Sequence, residues 1–236
     1  MNEQQAERTE MNALQKLTGI FTDPGKTYEA VNKKPSWIVP LILMIVTIAA
    51  IQFFILDISL ADRIKIMEAR GMDPAQMDMA QQQMQGPMKY LGFVFGPLFV
   101  ALSWMVIAGV LLFAGNVIMG GQAKFKPVLA VVAWSYPISL LGGILKTFLI
   151  ISKETTLGIT TSLAAFLPAP DIGTSGSMLY KILSKFDIFT IWQVVLWAIG
   201  LSVVYKVSTK KSGTVVGVVW GVWVILSVAV GSLIKF

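Results

Sequence analysis

Cysteine and histidine, two residue types that commonly carry enzyme chemistry, do not occur among the 236 residues of this chain. Without cysteine there is no thiolate nucleophile, no disulfide and no thiolate ligand for a metal ion. Without histidine the chain lacks the commonest general base and the commonest metal ligand. The sequence also has no Walker-type phosphate loop, no His-Glu-x-x-His motif and no facing pair of intramembrane aspartates. It therefore predicts a protein that is not an enzyme and that has neither a cofactor nor a metal ion.

Polar side chains inside long apolar segments offer binding rather than catalysis. Trp192, Gln193 and Trp197 lie close together in one such segment and form a candidate groove. The alternative is an interhelical hydrogen bond from Gln193. Lys146 lies near the end of another segment, and we interpret it as an interfacial anchor whose stem reaches toward water. Its alternative is a functional intramembrane charge. Trp37 is the second predicted interfacial anchor.

Methionine is dense between residues 67 and 88, and thioether sulfurs can bind Cu(I). Flexible methionine surfaces also suit protein partners or plain helix packing. With no cysteine or histidine nearby, the sequence favours packing or a partner over copper. The methionines concerned are Met67, Met72, Met77, Met79, Met84 and Met88.

Small residues recur at helical spacing in two apolar segments. Gly213, Gly217 and Gly221 repeat every four residues, and Gly92 and Gly96 repeat the same spacing earlier in the chain. Glycine lets a neighbouring helix approach closely, so these five residues are candidates for helix packing or interaction. The partner helix is either within this chain or on another chain.

Uninterrupted apolar length sets the fold class. Hydrophobic residues make up 55% of the chain and charged residues 14%, against about 25% charged in soluble domains. A membrane-spanning helix needs about 20 mostly apolar residues. Five windows satisfy this requirement, so we predict an all-α membrane protein with five spans. They cover about 38–56, 92–118, 128–151, 188–205 and 215–234.

The remaining segments complete the predicted organisation. Residues 1–10 are polar and predicted to be a disordered tail, and residues 11–236 form one membrane domain. Residues 11–34 have amphipathic helical spacing interrupted at Asp23-Pro24, which indicates two short helices on the cytoplasmic membrane surface. Residues 57–91 and 152–187 are expected to be two long external loops, the first of which contains a helix start at Asp73-Pro74. The first 36 residues lack the features of a cleavable signal peptide, so we expect the first span to remain in place.

Basic residues set the expected orientation. Five precede the first span, and the short turns after the second and fourth spans add five more without any acid. Basic residues accumulate on the cytoplasmic side, so we expect a cytoplasmic N-terminus and an external C-terminus in an inner membrane. The net charge of +6 is then explained by anionic lipid rather than by nucleic acid. The bilayer is a predicted partner and nucleic acid is not.

Three segments together resemble one known family. The first is LTGIFTDPGKTYEAVNKKPSWIVPL at 17–41, the second is GQAKFKPVLAVVAWSYP at 121–137, and the third joins SLAAFLP at 162–168 to LYKILSKFDIFTIWQVVLWAIGL at 179–201. In content, order and spacing they resemble bacterial Yip1-family membrane proteins over roughly residues 15–230. The resemblance implies about five membrane helices, a cytoplasmic N-terminus and no established catalytic residues.

The resemblance also bears on function. Eukaryotic members of this family act in vesicle trafficking and associate with Rab GTPases and with one another, whereas some bacterial members look like accessory components of ABC-type exporters. We therefore expect a non-catalytic accessory or assembly subunit, bound to exporter components, to other membrane proteins or to itself. The alternative is a channel, transporter or lipid-handling protein that uses an uncharged path between helices.

Overall fold

A computed structural model describes residues 11–233, without the side chains of residues 83, 85 and 233. Every regular element within that range is helical. The helices are α1 (Ala13–Thr22), α2 (Pro24–Lys33), α3 (Ile38–Ala69), α4 (Pro74–Gln85), α5 (Leu91–Ile118), α6 (Phe125–Lys153), α7 (Met178–Leu183), α8 (Ile188–Tyr205) and α9 (Thr209–Leu233), with 3₁₀ turns at Pro87–Tyr90 and Leu163–Phe166. The predicted tail at 1–10 and the last residue of the predicted fifth span lie outside the described residues.

Five of these helices are long and apolar enough to cross a membrane, namely α3, α5, α6, α8 and α9. The prediction of an all-α membrane protein with five spans is therefore confirmed. Of the most apolar window in each helix, 67% of residues are buried in α6 but only 11% in α3. All residues from Val128 to Ser135 are buried, which is two turns covered on every side. This part of α6 therefore lies inside the core.

The first span and the connection after it differ from the prediction. Helix α3 does not end near Leu56 but continues to Ala69, and α4 follows after a short turn. Most of 57–91 is thus helix rather than loop. Gly71, two residues after the end of α3, has a φ of +69°. The N–H of Met72 donates to the carbonyl of Met67 at 3.2 Å. This is a Schellman-type cap, which stops a helix irrespective of its hydropathy.

Two local caps explain the short N-terminal helices. Asn12 accepts a hydrogen bond from the N–H of Gln15, and the Gln15 side chain accepts one in return from the N–H of Asn12. This capping box starts α1. Asp23 caps α2, with Pro24 at its first helical position. The helix break predicted at Asp23-Pro24 is present.

The described chain divides into two compact units, each considered by itself below. Unit 1 comprises 11–44, 101–139 and 191–223. Unit 2 comprises 45–100, 140–190 and 224–233.

Candidate functional site

Asp62 in unit 2 is a buried carboxylate on the C-terminal half of α3, with 1% of its surface exposed. Its Oδ2 accepts hydrogen bonds from the hydroxyl of Thr155 at 3.0 Å, and from the hydroxyl and the backbone N–H of Thr156 at 2.8 and 2.5 Å. The ammonium of Lys65 donates to Oδ1 at 2.9 Å. A buried charge is tolerated when it is paired and hydrogen-bonded, and both oxygens of Asp62 meet that condition.

Asp187 is a second carboxylate of unit 2 and lies directly before α8. Its Oδ1 accepts from the N–H groups of Phe189 at 2.9 Å and Thr190 at 3.3 Å, which makes it the cap of that helix. Its Oδ2 accepts from the hydroxyl of Thr161 and pairs with Nζ of Lys146 at 3.1 Å. Burial opposes ionisation, but the hydrogen bonds from Thr161 and Lys146 outweigh it and hold the pKa of Asp187 below its ordinary value.

These two carboxylates hold the segment that follows α6. Asp62 accepts hydrogen bonds from Thr155 and Thr156 of this segment, and Asp187 accepts one from Thr161. A bridge between Ser162 and Asp187 continues the contact. The donors to both carboxylates are threonine hydroxyls, backbone N–H groups and lysines of the same unit, so the two side chains anchor this segment within unit 2. Asp187 had a sequence signal, because an aspartate before an apolar helix is a typical cap. Asp62 had none.

Lys146 and Trp37 were the predicted interfacial anchors. Lys146 has a partner in Asp187 that the sequence did not indicate, and 40% of its side chain remains exposed. Trp37 is half-buried directly before α3. The neighbouring carbonyl of Ser36 accepts a hydrogen bond from Nε1 of Trp134 at 2.8 Å, which ties this part of the chain to α6 within unit 1.

Gln193 lies in a closed hydrogen-bond network of unit 1. Its Oε1 accepts from the hydroxyl of Ser139 at 2.9 Å, and its Nε2 donates to Oγ of Ser135 at 3.2 Å. Nε1 of Trp197 donates to the same Ser135 oxygen at 2.7 Å. The network joins α6 to α8, and its donors and acceptors satisfy one another. These contacts correspond to the interhelical bond that was the alternative to a groove.

Trp192, the third member of the predicted groove, contacts α1 instead. Its ring meets that of Phe21 edge to face, with centroids 6.1 Å apart. Such aromatic pairs contribute about 0.5–1.5 kcal/mol beyond the area they bury. The three groove candidates therefore contact two different helices.

The apolar side chains of helices α1 and α2 pack against other parts of the chain. Ile20, Tyr28 and Val31 are fully buried. The Tyr28 hydroxyl donates to the carbonyl of Val131 at 3.4 Å, and burial raises the pKa of this phenol well above its ordinary value. Gly200 of α8 makes room for them, since an added Cβ would collide with Val131 and lie 3.1 Å from the Tyr28 ring. The sequence predicted the apolar face but assigned it to the membrane surface.

The two predicted sets of glycines have different surroundings. A Cβ added to Gly92 would lie 2.9 Å from Nε2 of Gln52, and one added to Gly96 would lie 3.4 Å from Ile48. These two glycines of α5 therefore receive side chains of α3 within unit 2. In unit 1 a Cβ on Gly213 would lie 3.8 Å from the Cβ of Ala198, an ordinary contact.

Gly217 and Gly221 on α9 face open space. Apart from the adjacent turns of α9 itself, a Cβ at either position would meet no described atom within 4 Å. Their neighbours Val218 and Val222 are exposed as well. No helix in the described residues uses this glycine face.

Tyr205 makes a close contact that the sequence did not indicate. Its ring occupies the space where side chains on Gly115 and Gly121 would lie. Its hydroxyl donates to the carbonyl of Leu112 at 3.2 Å. The contact joins positions about 90 residues apart in the chain, so no local spacing of residues predicts it.

Comparison with known proteins agrees with the family resemblance found in the sequence. The sequence matches the family model described as the Yip1 domain over residues 18–231. The chain belongs to the Yip1 family. The membrane protein YknW of Bacillus subtilis (strain 168) is 26% identical over 220 residues, which cover 91% of this chain and 89% of YknW. No solved structure matches the chain significantly.

The segments that carried the resemblance supply contacts of this Yip1-family chain. Tyr28 from the first segment and Val131 from the second meet in unit 1. The two parts of the third segment meet in unit 2, where Ser162 bridges to Asp187. Within the described residues, no group of three or more Asp or Glu side chains lies close enough to hold a metal ion. These segments thus contribute packing and anchoring contacts.

Proposed function

We propose that this Yip1-family protein is a non-catalytic subunit that assembles with other membrane proteins, with an ABC-type exporter as the expected kind of complex. The observation that carries the proposal is the open face of α9 at Gly217 and Gly221. Gly92 and Gly115 instead receive a side chain from a neighbouring helix, and Gly109 is open but has no second glycine four residues away. A glycine face that receives none within the described chain is suited to a helix of another protein.

The buried polar groups support the non-catalytic part of this proposal. Asp62, Asp187 and Gln193 are each engaged by donors or acceptors from the chain itself. A catalytic group must reach a substrate atom directly or through one water. Side chains that hold loops and helices in this way favour a scaffold role.

The distribution of charge supports an inner-membrane location with the N-terminus in the cytoplasm. The described part of unit 1 has nine basic and two acidic residues, for a net charge of +7, whereas unit 2 has eight of each. Cytoplasmic segments of inner-membrane proteins are enriched in lysine and arginine. We therefore assign the N-terminal helices and the short turns that follow α5 and α8 to the cytoplasmic side, and the C-terminus to the outside.

Affinity purification of the tagged protein from its native membrane in mild detergent tests the proposal. We expect a transporter ATPase, permease or adaptor to co-purify in stoichiometric amount. Recovery of the protein alone, together with solute flux or lipid transfer by the purified protein in liposomes, would contradict it. That result would support the alternative of a channel, transporter or lipid-handling protein.

A further inference from the structure

A groove of about 630 Å³ runs along one face of α3 within unit 2. The α3 residues that line it recur every three or four positions from Gln52 through Leu56 and Arg63 to Met67, which is the spacing of one helix face. Such a stretch of helix is about 22 Å long. A bilayer with its headgroups is about 40–45 Å thick, so the groove is about as long as one lipid leaflet is thick.

The opposite wall comes from the chain that returns after α3. Ala80 and Met84 of α4, Met88 and Lys89 of the 3₁₀ turn, and the start of α5 complete the lining. The α5 residues are Leu91 and Gly92, the first residues of a helix long and apolar enough to span a membrane. One end of the groove therefore adjoins a membrane segment, from which an acyl chain can enter.

The lining combines apolar length with positive charge. Eight of the thirteen lining residues are apolar, and three of these are methionines, whose flexible side chains adapt to an irregular chain. Arg63 and Lys89 also line the groove, whereas no acidic residue of the described chain does.

Both cations are available to a ligand. Neither Arg63 nor Lys89 forms an ion pair within the described residues. Lys89 lies 5.0 Å from the ring centre of Tyr90, a contact that leaves its charge in place. Arginine presents a planar fork of donors that matches a phosphate, and lysine adds a compact positive charge.

We propose that this groove binds one anionic phospholipid, whose acyl chain lies along the apolar wall and whose phosphate pairs with Arg63 and Lys89. A free anion would leave the apolar length unoccupied, and a neutral lipid would leave both cations unpaired. The groove belongs to unit 2, whereas Gly217 belongs to unit 1, so lipid binding does not require the proposed assembly surface.

Native mass spectrometry of the full-length protein in dodecyl maltoside tests this proposal. Dioleoyl phosphatidylglycerol and dioleoyl phosphatidylcholine are each titrated into delipidated protein. We expect one phosphatidylglycerol to bind at least about tenfold more tightly than phosphatidylcholine, because each cation near an anionic headgroup contributes about 1 kcal/mol. An excess of inorganic phosphate should not displace the lipid.

Two pairs of variants locate the site. The double substitution Arg63→Gln with Lys89→Gln should weaken phosphatidylglycerol binding by about tenfold or more. Its control, Lys126→Gln with Lys153→Gln, removes the same charge from exposed positions outside the groove and should leave binding unchanged. Independently of charge, Ala80→Phe should obstruct the groove, whereas Ala75→Phe on the exposed side of α4 should not.

Several outcomes would overturn the proposal. Equal binding of the two lipids would remove the role of the cations, and displacement by inorganic phosphate would leave only an anion site. Unchanged phosphatidylglycerol binding in both the double variant and Ala80→Phe would place the lipid elsewhere. A photo-crosslinker at Met84 that captures a protein segment in native membranes, and no lipid, would make the groove a protein-docking site instead.

Discussion

Asp62 and Thr156 are 94 residues apart in the chain, yet two hydrogen bonds join them. The carboxylate accepts one hydrogen bond from the hydroxyl of Thr156 and another from its backbone N–H. These bonds fix the direction of the chain shortly after α6. Thr155 adds a third bond to the same oxygen. One side chain of α3 thereby positions the segment that leads on to Thr161 and Asp187.

Replacing Asp62 should destabilise unit 2. Asp62→Ala leaves the donors of Thr155 and Thr156 without their acceptor, and we expect the free energy of unfolding to fall by about 3 kcal/mol. Thermal unfolding of the detergent-purified protein, followed by tryptophan fluorescence, measures the change. Glu68→Gln, an exposed carboxylate on the same helix, is the control and should leave Tm unchanged. A wild-type Tm in Asp62→Ala would show that the anchor contributes nothing.

The stabilisation contributed by Asp187 should depend on pH. Its pKa in the folded protein lies below the ordinary value of 3.8, so the unfolded state binds its proton first as pH falls. The stabilisation is therefore complete above about pH 4 and is lost as pH falls through the folded pKa. We expect the Tm difference between wild type and Asp187→Asn to be large at neutral pH and to shrink below about pH 4. The control is Asp171→Asn at an exposed position, which should give no such trend. A Tm difference for Asp187→Asn that grew as the pH fell would contradict the prediction.

Gly115 should not tolerate a side chain, because the Tyr205 ring occupies the space beside it. Gly115→Ala is expected to cost about 1–3 kcal/mol, the typical range for overpacking. Gly109→Ala is the matched control on the same helix, since its Cβ would meet no described atom within 4 Å. It should be neutral or slightly stabilising, because alanine favours a helix over glycine. Tyr205→Leu should relieve the effect of Gly115→Ala, and strict additivity of the two changes would argue against the contact.

The sequence predicted the parts of the fold that follow from local composition. Five uninterrupted apolar windows gave the spans, and Asp23-Pro24 gave the break between α1 and α2. The end of α3 escaped prediction because the prediction followed hydropathy, which falls after Leu56. The helix instead continues through residues compatible with it until Gly71 adopts a positive φ. Hydropathy locates the membrane segment of a helix but not its end.

Long-range contacts account for most of what the sequence did not show at the candidate sites. A polar threonine and an acidic residue are unremarkable singly, and only the fold brings Thr156 to Asp62. The glycine spacing at Gly92 and Gly217 is the same in the sequence, but one glycine receives Gln52 and the other faces open space. Whether a small residue packs internally depends on the position of the other helices, which spacing alone does not specify.

The open face of α9 provides the most direct test of the proposed assembly role. Gly217→Leu places a bulky side chain where a partner helix would approach, and apart from the adjacent turns of α9 no described atom lies within 4 Å of the Cβ position. Gly109→Leu adds the same side chain at another open position and is the control. The measurement is the amount of exporter component that co-purifies with each tagged variant from native membranes at equal expression and equal Tm. The account predicts at least a severalfold loss with Gly217→Leu and none with Gly109→Leu, whereas wild-type recovery with Gly217→Leu would contradict it.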